Sequence, residues 1–200
     1  MSEPKSGTKA EPKGETKAKK AGGQQAAPAG PDLKAAATEL VTRAFNKQQP
    51  GVVDEQAHAD CVFHIPGAGE GAIDKRTLDV AGFKKFLRAR YSALPDMQLE
   101  MSDLMRDGDQ LAARTELTGT QQGRMFGAPP TGRWIQAEGM LMFTYDADGK
   151  LIELRQDFDD VEVMVQLGIM APARTGPMGI LTHSVTSAAR FAGLRRKARR

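Results

Sequence analysis

The stretch Arg133-Trp-Ile-Gln-Ala-Glu-Gly-Met-Leu-Met-Phe-Thr-Tyr145, followed by Asp146-Ala-Asp-Gly149 and Leu151-Ile-Glu-Leu-Arg-Gln-Asp-Phe158, decides the fold. Ile135, Ala137, Gly139, Leu141, Phe143 and Tyr145 share one face by the two-residue period of a strand. Trp134, Gln136, Glu138, Met140, Met142 and Thr144 share the other. Asp148-Gly149 is a turn dipeptide, because glycine adopts positive φ without steric cost. The segment therefore reads as a β-hairpin from Arg133 to Phe158. Its returning strand sets Glu153, Arg155, Asp157 and Asp159 on one side, which makes either a solvated edge or the wall of a polar pocket. Upstream, Phe126-Gly-Ala-Pro-Pro-Thr-Gly132 is a stiff loop, since each proline fixes φ. It is either a cover for a ligand or a rigid connection. Downstream, Asp157-Phe-Asp-Asp160 runs into a short helix over about Asp160 to Leu167.

Moving toward the N-terminus, Leu111 to Thr120 and Met97 to Met105 read as strands joined at Asp107-Gly108-Asp109. Val80, Phe83, Phe86, Leu87, Tyr91 and Leu94 form the buried stripe of a helix that Asp79 can cap and Pro95 stops. Ala68 to Lys75 reads as a Gly- and Ala-rich loop, Cys61 to Ile65 as a short strand, and Val52 to Ala59 as a short helix. Asp32 opens the first helix, whose stripe is Leu33, Ala36, Ala37, Leu40, Val41, Ala44 and Phe45. Helices followed by a run of antiparallel strands indicate an α+β fold. A strongly curved antiparallel sheet packed on three helices makes a cone with an apolar interior.

The ends differ from the middle. Met1 to Gly30 contains six Lys and three Glu but no Leu, Ile, Val or aromatic residue, so residues 1–31 are expected to be a disordered tail. Residues 32–170 are expected to form the domain. Residues 171–200 carry seven basic and no acidic side chains. Pro172 and Gly176-Pro177 read as structure breakers there, and Ser184 to Arg200 as a possible helix. The middle of the chain, residues 31–170, is acidic, with fifteen basic against twenty-two acidic residues. The net charge of +3 therefore belongs to the ends and gives no reason to expect specific nucleic-acid binding by the domain. No apolar run reaches the length of a transmembrane helix, and a single cysteine, Cys61, fits a cytoplasmic location. No phosphate loop, dinucleotide-binding glycine motif or Ser-His-Asp signature occurs.

Leu94-Pro-Asp96, Gly127-Ala-Pro-Pro-Thr-Gly-Arg133, Gly149-Lys-Leu-Ile-Glu153, Phe158-Asp159 and Gln166-Leu-Gly168 occur in this order between about Asp32 and Met170. This ordered set resembles the SnoaL-like polyketide (ester) cyclases of the nuclear transport factor two-like superfamily. The resemblance implies the cone fold, a hydrophobic carbonyl substrate, no cofactor and no metal. It also implies that Asp159 is the general acid/base of an intramolecular aldol closure. Tryptophan is usual in the family where Arg155 stands here, so Arg155 either pairs with Glu153 and Asp157 or binds a planar or anionic ligand. His64 falls where the family often has a pocket histidine. Phe126, Trp134, Leu141 and Glu153 complete the expected pocket. Each has a plainer reading: Asp159 as a helix cap, Arg155 as a solvated charge, Trp134 and the methionines as core or subunit contact. His58, Cys61 and His64 have metal-like spacing, but a strand through Cys61 and His64 turns them to opposite faces. An enzyme, a non-catalytic binder of the same fold, and a scaffold acting through its tails are the competing readings. The Trp134, Met140 and Met142 face suggests a homodimer or larger assembly, and the Arg-rich end suggests weak binding to anionic surfaces.

Overall fold

A computed structural model describes residues 31–66, 75–172 and 175–197. Asp32 accepts a hydrogen bond from the Ala35 amide at 3.1 Å and starts α1, Leu33–Val41, which continues as a π-helical turn over Thr42–Asn46. After α2, Val52–Gln56, the chain runs through β1, Ala57–Pro66, and β2, Lys75–Leu78. Asp79 caps α3, Val80–Ala93, by accepting from the Gly82 amide at 2.7 Å. Strands β3, Gln98–Asp107, β4, Gln110–Thr120, β5, Trp134–Tyr145, and β6, Leu151–Phe158, follow. Two helices close the described chain, α4, Asp160–Leu167, and α5, Pro177–Lys197.

The six strands form one curved, unclosed sheet in the order β2-β1-β6-β5-β4-β3. Its concave face takes Leu111, Ala113 and Leu117 of β4 and, of the set that alternation groups on one face of β5, Ile135, Ala137, Leu141, Phe143 and Tyr145. Against them lie the stripes of α1 and α3. The Phe63 ring of β1 stacks on Phe83 of α3 with centroids 4.1 Å apart, and Phe45 and Phe86 flank Phe83. Asn46 fastens the π turn to the outermost strand, donating to the Leu99 carbonyl at 3.1 Å and accepting from the Leu99 amide at 2.7 Å. That exchange copies a strand ladder and occupies part of an edge that would otherwise be unpaired.

Several details correct the sequence reading. The sheet is not wholly antiparallel, because β1 and β6 run parallel. The α2 helix ends at Gln56 and β1 begins at Ala57, where pairing with Leu151 draws the chain into the sheet. The strand β2 has no expected counterpart; it exists by pairing with Phe63 to Pro66 of β1. Pro177 opens α5 instead of breaking structure, since the first turn of a helix needs no N–H there. The expected disordered segment before Pro31, most of the Gly- and Ala-rich loop and the last three residues lie outside the described residues.

Candidate functional site

Parity along β6 brings two polar groups to the concave side. Leu154, Gln156 and Phe158 point inward, and the next residue of that set is Asp160, the first of α4. They meet Phe86 and Arg90 of α3, Met97, Leu117 and Ala137 of the sheet, and Met125 of the long loop. Together with Phe45 and Val163 these residues enclose an interior space whose free volume is about 10 Å³, room for about one water. Only Arg90, Gln156 and Asp160 among the lining side chains are polar.

The Arg90 guanidinium lies over the Phe86 ring at 5.1 Å and over the Phe126 ring at 5.7 Å, and it donates no hydrogen bond to any described residue. Arg90 stands in the last turn of α3, where the helix dipole favours a cation. Burial lowers its pKa, and the Asp160 carboxylate pulls it back up. Asp160 is half-buried. Burial raises its pKa; Arg90 opposes that rise, while Asp157 and Asp159 add to it. Gln156 is 5% exposed, and its Oε1 has no partner among the described residues.

The loop from Gln121 to Arg133 closes one side of this space and is built around a single side chain. Gln121, fully buried, accepts from the Thr131 amide at 2.8 Å and from the Thr131 hydroxyl. It donates to the Gly123 carbonyl at 2.7 Å and the Pro129 carbonyl at 3.1 Å. The loop then docks on the end of α3 through the Gln122 and Gly123 amides, both bound to the Ala93 carbonyl. At its tip Phe126 takes a φ of 50°, strained for a residue with a side chain, beside Gly127 at 73°.

The residues named from sequence fall into two groups. Phe126 reaches the Arg90 side of the cavity. Leu141 is fully buried in the sheet but does not line the free space. The others lie on the convex face. His64 Nε2 is 2.8 Å from Glu153 Oε1, and Arg155 donates to the same oxygen at 2.5 Å. Trp134 is 58% exposed. Cys61 points inward, away from His64, and burial pushes its thiol pKa up to about 12, which leaves it protonated and unreactive. Asp159 is exposed and caps α4, accepting from the Glu162 amide at 2.9 Å. The carboxylate inside is its neighbour, Asp160. Sequence reasoning also missed Arg90, although it follows Phe83 and Phe86 at helical spacing on the buried stripe.

Residues 35–167 match the family described as SnoaL-like polyketide cyclase. A candidate SnoaL-like polyketide cyclase from Jannaschia sp. CCS1 shares 21% identity over 72% of this chain and 97% of its own, with a TM-score of 0.60. IdmH, a candidate polyketide cyclase from Streptomyces antibioticus, shares 27% identity over 68% of this chain and 99% of its own, with a TM-score of 0.60. AclR, a candidate hydroxylase from Streptomyces galilaeus, shares 24% identity over 70% and 97%, again with a TM-score of 0.60. No curated protein matches the chain. The extent of the family match, borne by a fold common to these structures, makes this chain a member of the SnoaL-like polyketide cyclase family.

Proposed function

We propose that the protein closes a ring in a hydrophobic, polyketide-like carbonyl compound by acid/base chemistry of the aldol type, with no cofactor, and that Asp160 is the acid/base. The observation that carries this is a half-buried carboxylate, its pKa raised by burial, in a cavity whose lining is otherwise apolar but for Arg90 and Gln156. The ionised carboxylate takes a proton from the carbon beside a carbonyl, leaving an enolate. The enolate carbon attacks a second carbonyl carbon of the same molecule, and the resulting alkoxide takes the proton back from Asp160. The reaction is an isomerisation in which all atoms are retained. Asp159 stands at the family's usual place, and it serves this reading as the cap that fixes where Asp160 emerges.

The paired variants Asp159→Asn and Asp160→Asn test the assignment with 1-arylhexane-1,5-diones, whose aldol closure through the terminal methyl gives six-membered rings. Turnover is expected to fall about a hundredfold or more in Asp160→Asn and to change little in Asp159→Asn, because asparagine caps nearly as well. The reverse ranking would return the role to Asp159. Binding without turnover is the alternative, and Arg155, standing where the family usually has tryptophan, favours it. Saturable binding of these diketones by wild type, with no product formed, would establish that reading.

Two further proposals concern partners. A second copy of this chain covers the convex face, where Met142, Ala112 and Met105 are neighbours across three strands, near exposed Met140, with exposed Trp134 at the far end of the same strand. Charges of both signs border that face, His64, Glu153 and Arg155 on one flank and Arg114 with Asp103 on the other, so it complements itself. The α5 helix, which carries no acidic residue, attracts anionic surfaces through Arg195, Arg196 and Lys197.

A further inference from the structure

Two features of the cavity are unexplained by an acid/base carboxylate alone. The first is Arg90. A guanidinium offers five N–H donors, and here none meets an acceptor in the described protein. The guanidinium lies over the Phe86 and Phe126 rings, and the half-buried side chain lines the cavity. Helix-end electrostatics account for a cation in the last turn of α3 but not for turning it inward among Phe86, Met97, Leu117 and Met125. The second is Gln156, whose buried Oε1 lacks a donor. Leaving such an atom unpaired costs about 1–3 kcal/mol, and a leucine of similar size would avoid that.

We propose that Arg90 is the oxyanion-binding residue of this cavity, that Gln156 takes a hydroxyl of the same ligand, and that the ligand is a flat apolar molecule bound as a carboxylate, phenolate or enolate. This deepens the ring-closure reading and rests on the same cavity being the reacting site. Removal of a proton by Asp160 leaves its charge on an enolate oxygen, and the guanidinium fork is the group present to receive it. Phe126 shows how a planar ligand fits. Its ring already stacks on the guanidinium from the tip of the loop, so a ligand ring enters by replacing Phe126 there.

Binding of 2-naphthoate, methyl 2-naphthoate and 6-hydroxy-2-naphthoate to the full chain, followed by calorimetry, tests this. Wild type is expected to prefer 2-naphthoate to its neutral ester by about tenfold or more. Arg90→Met, which keeps the apolar stem, should erase that ratio, and Gln156→Leu should erase only the preference for the hydroxylated acid over 2-naphthoate. Phe126→Ala should tighten 2-naphthoate binding. If Arg90→Met does not fold, Arg90→Lys decides, because a point charge without the fork should lower the acid-to-ester ratio several-fold. Equal affinity for acid and ester, an unchanged ratio in Arg90→Met or Arg90→Lys, or no saturable binding of 2-naphthoate at millimolar concentration would overturn the proposal. Failure of the ring-closure reading looks different. Turnover kept in both aspartate variants, with the acid-to-ester ratio still lost in Arg90→Met, would remove the acid/base role and leave the oxyanion site standing.

Discussion

Adjacent aspartates do different physical work at the junction of β6 and α4. Asp159 faces water and satisfies a free amide of the helix start; Asp160 faces the cavity and loses hydration. The difference is parity, since Asp159 continues the outward series of Glu153, Arg155 and Asp157, while Asp160 continues the inward series of Leu154, Gln156 and Phe158. It has a thermodynamic consequence. The folded state holds the Asp160 proton more tightly than the unfolded chain does, so the stability this group contributes is present at low pH. It is lost as pH climbs from the ordinary aspartate value, about 3.9, through the raised one. Asp160→Asn should therefore be destabilised less than wild type, or not at all, over that rise. Chemical denaturation at a series of pH values reads this, and parallel curves for the two proteins would contradict it. The same alternation was legible in the sequence, where Glu153, Arg155, Asp157 and Asp159 already formed one set. What was not legible was which set faces the helices, because that is decided by residues far away in the chain, Phe63, Phe83 and Phe86 among them.

Elements whose signals are local came through. The hairpin is set by alternation and an Asp-Gly turn, α4 by its cap, and α3 by its stripe. The elements that depend on a distant partner did not: β2 exists through β1, and the start of β1 through β6. Gly139 is the point at which the hairpin positions the cavity. A Cβ there would come within 2.4 Å of the Asp157 carbonyl and 2.2 Å of the Phe158 ring. Its absence lets β6 approach and lets Phe158 lie across β5 with an edge in the cavity. Gly139→Ala is expected to cost about 1–3 kcal/mol, visible as a lowered Tm. An unchanged Tm would mean that the backbone of β6 yields more readily than its pairing suggests.

For the molecule as a whole, the proposed functions divide between the interior and the exterior of the sheet. If the convex face is the seat of a second copy, Met140→Glu combined with Met142→Glu should shift sedimentation at micromolar concentration to the monomer, with the fold kept by circular dichroism. A wild-type protein that is already monomeric there would dismiss the interface. The α5 helix is fastened to the body by Arg190, which donates to the Leu167 carbonyl at 2.6 Å, and by Ser187, which donates to the Gly168 carbonyl at 3.0 Å. Its far face leaves Met178, Leu181 and Val185 exposed. Vesicles containing phosphatidylserine should retain the full chain at low salt and release it as salt screens Arg195, Arg196 and Lys197. Retention that persists at 1 M salt would point to the apolar face instead.

The loop organised by Gln121 has a use in redesign. Its hydrogen bonds close within residues 121–133, onto the end of α3 and, through Arg133, onto the Gln166 carbonyl of α4, so the β4 and β5 ladders need nothing from residues 124–128. That short tip nonetheless supplies Met125 and Phe126 to the cavity. A library confined to Arg124 through Ala128 would vary the size and shape of the accepted molecule while leaving the Gln121 frame in place, with apolar residues kept at buried Met125 and Ala128.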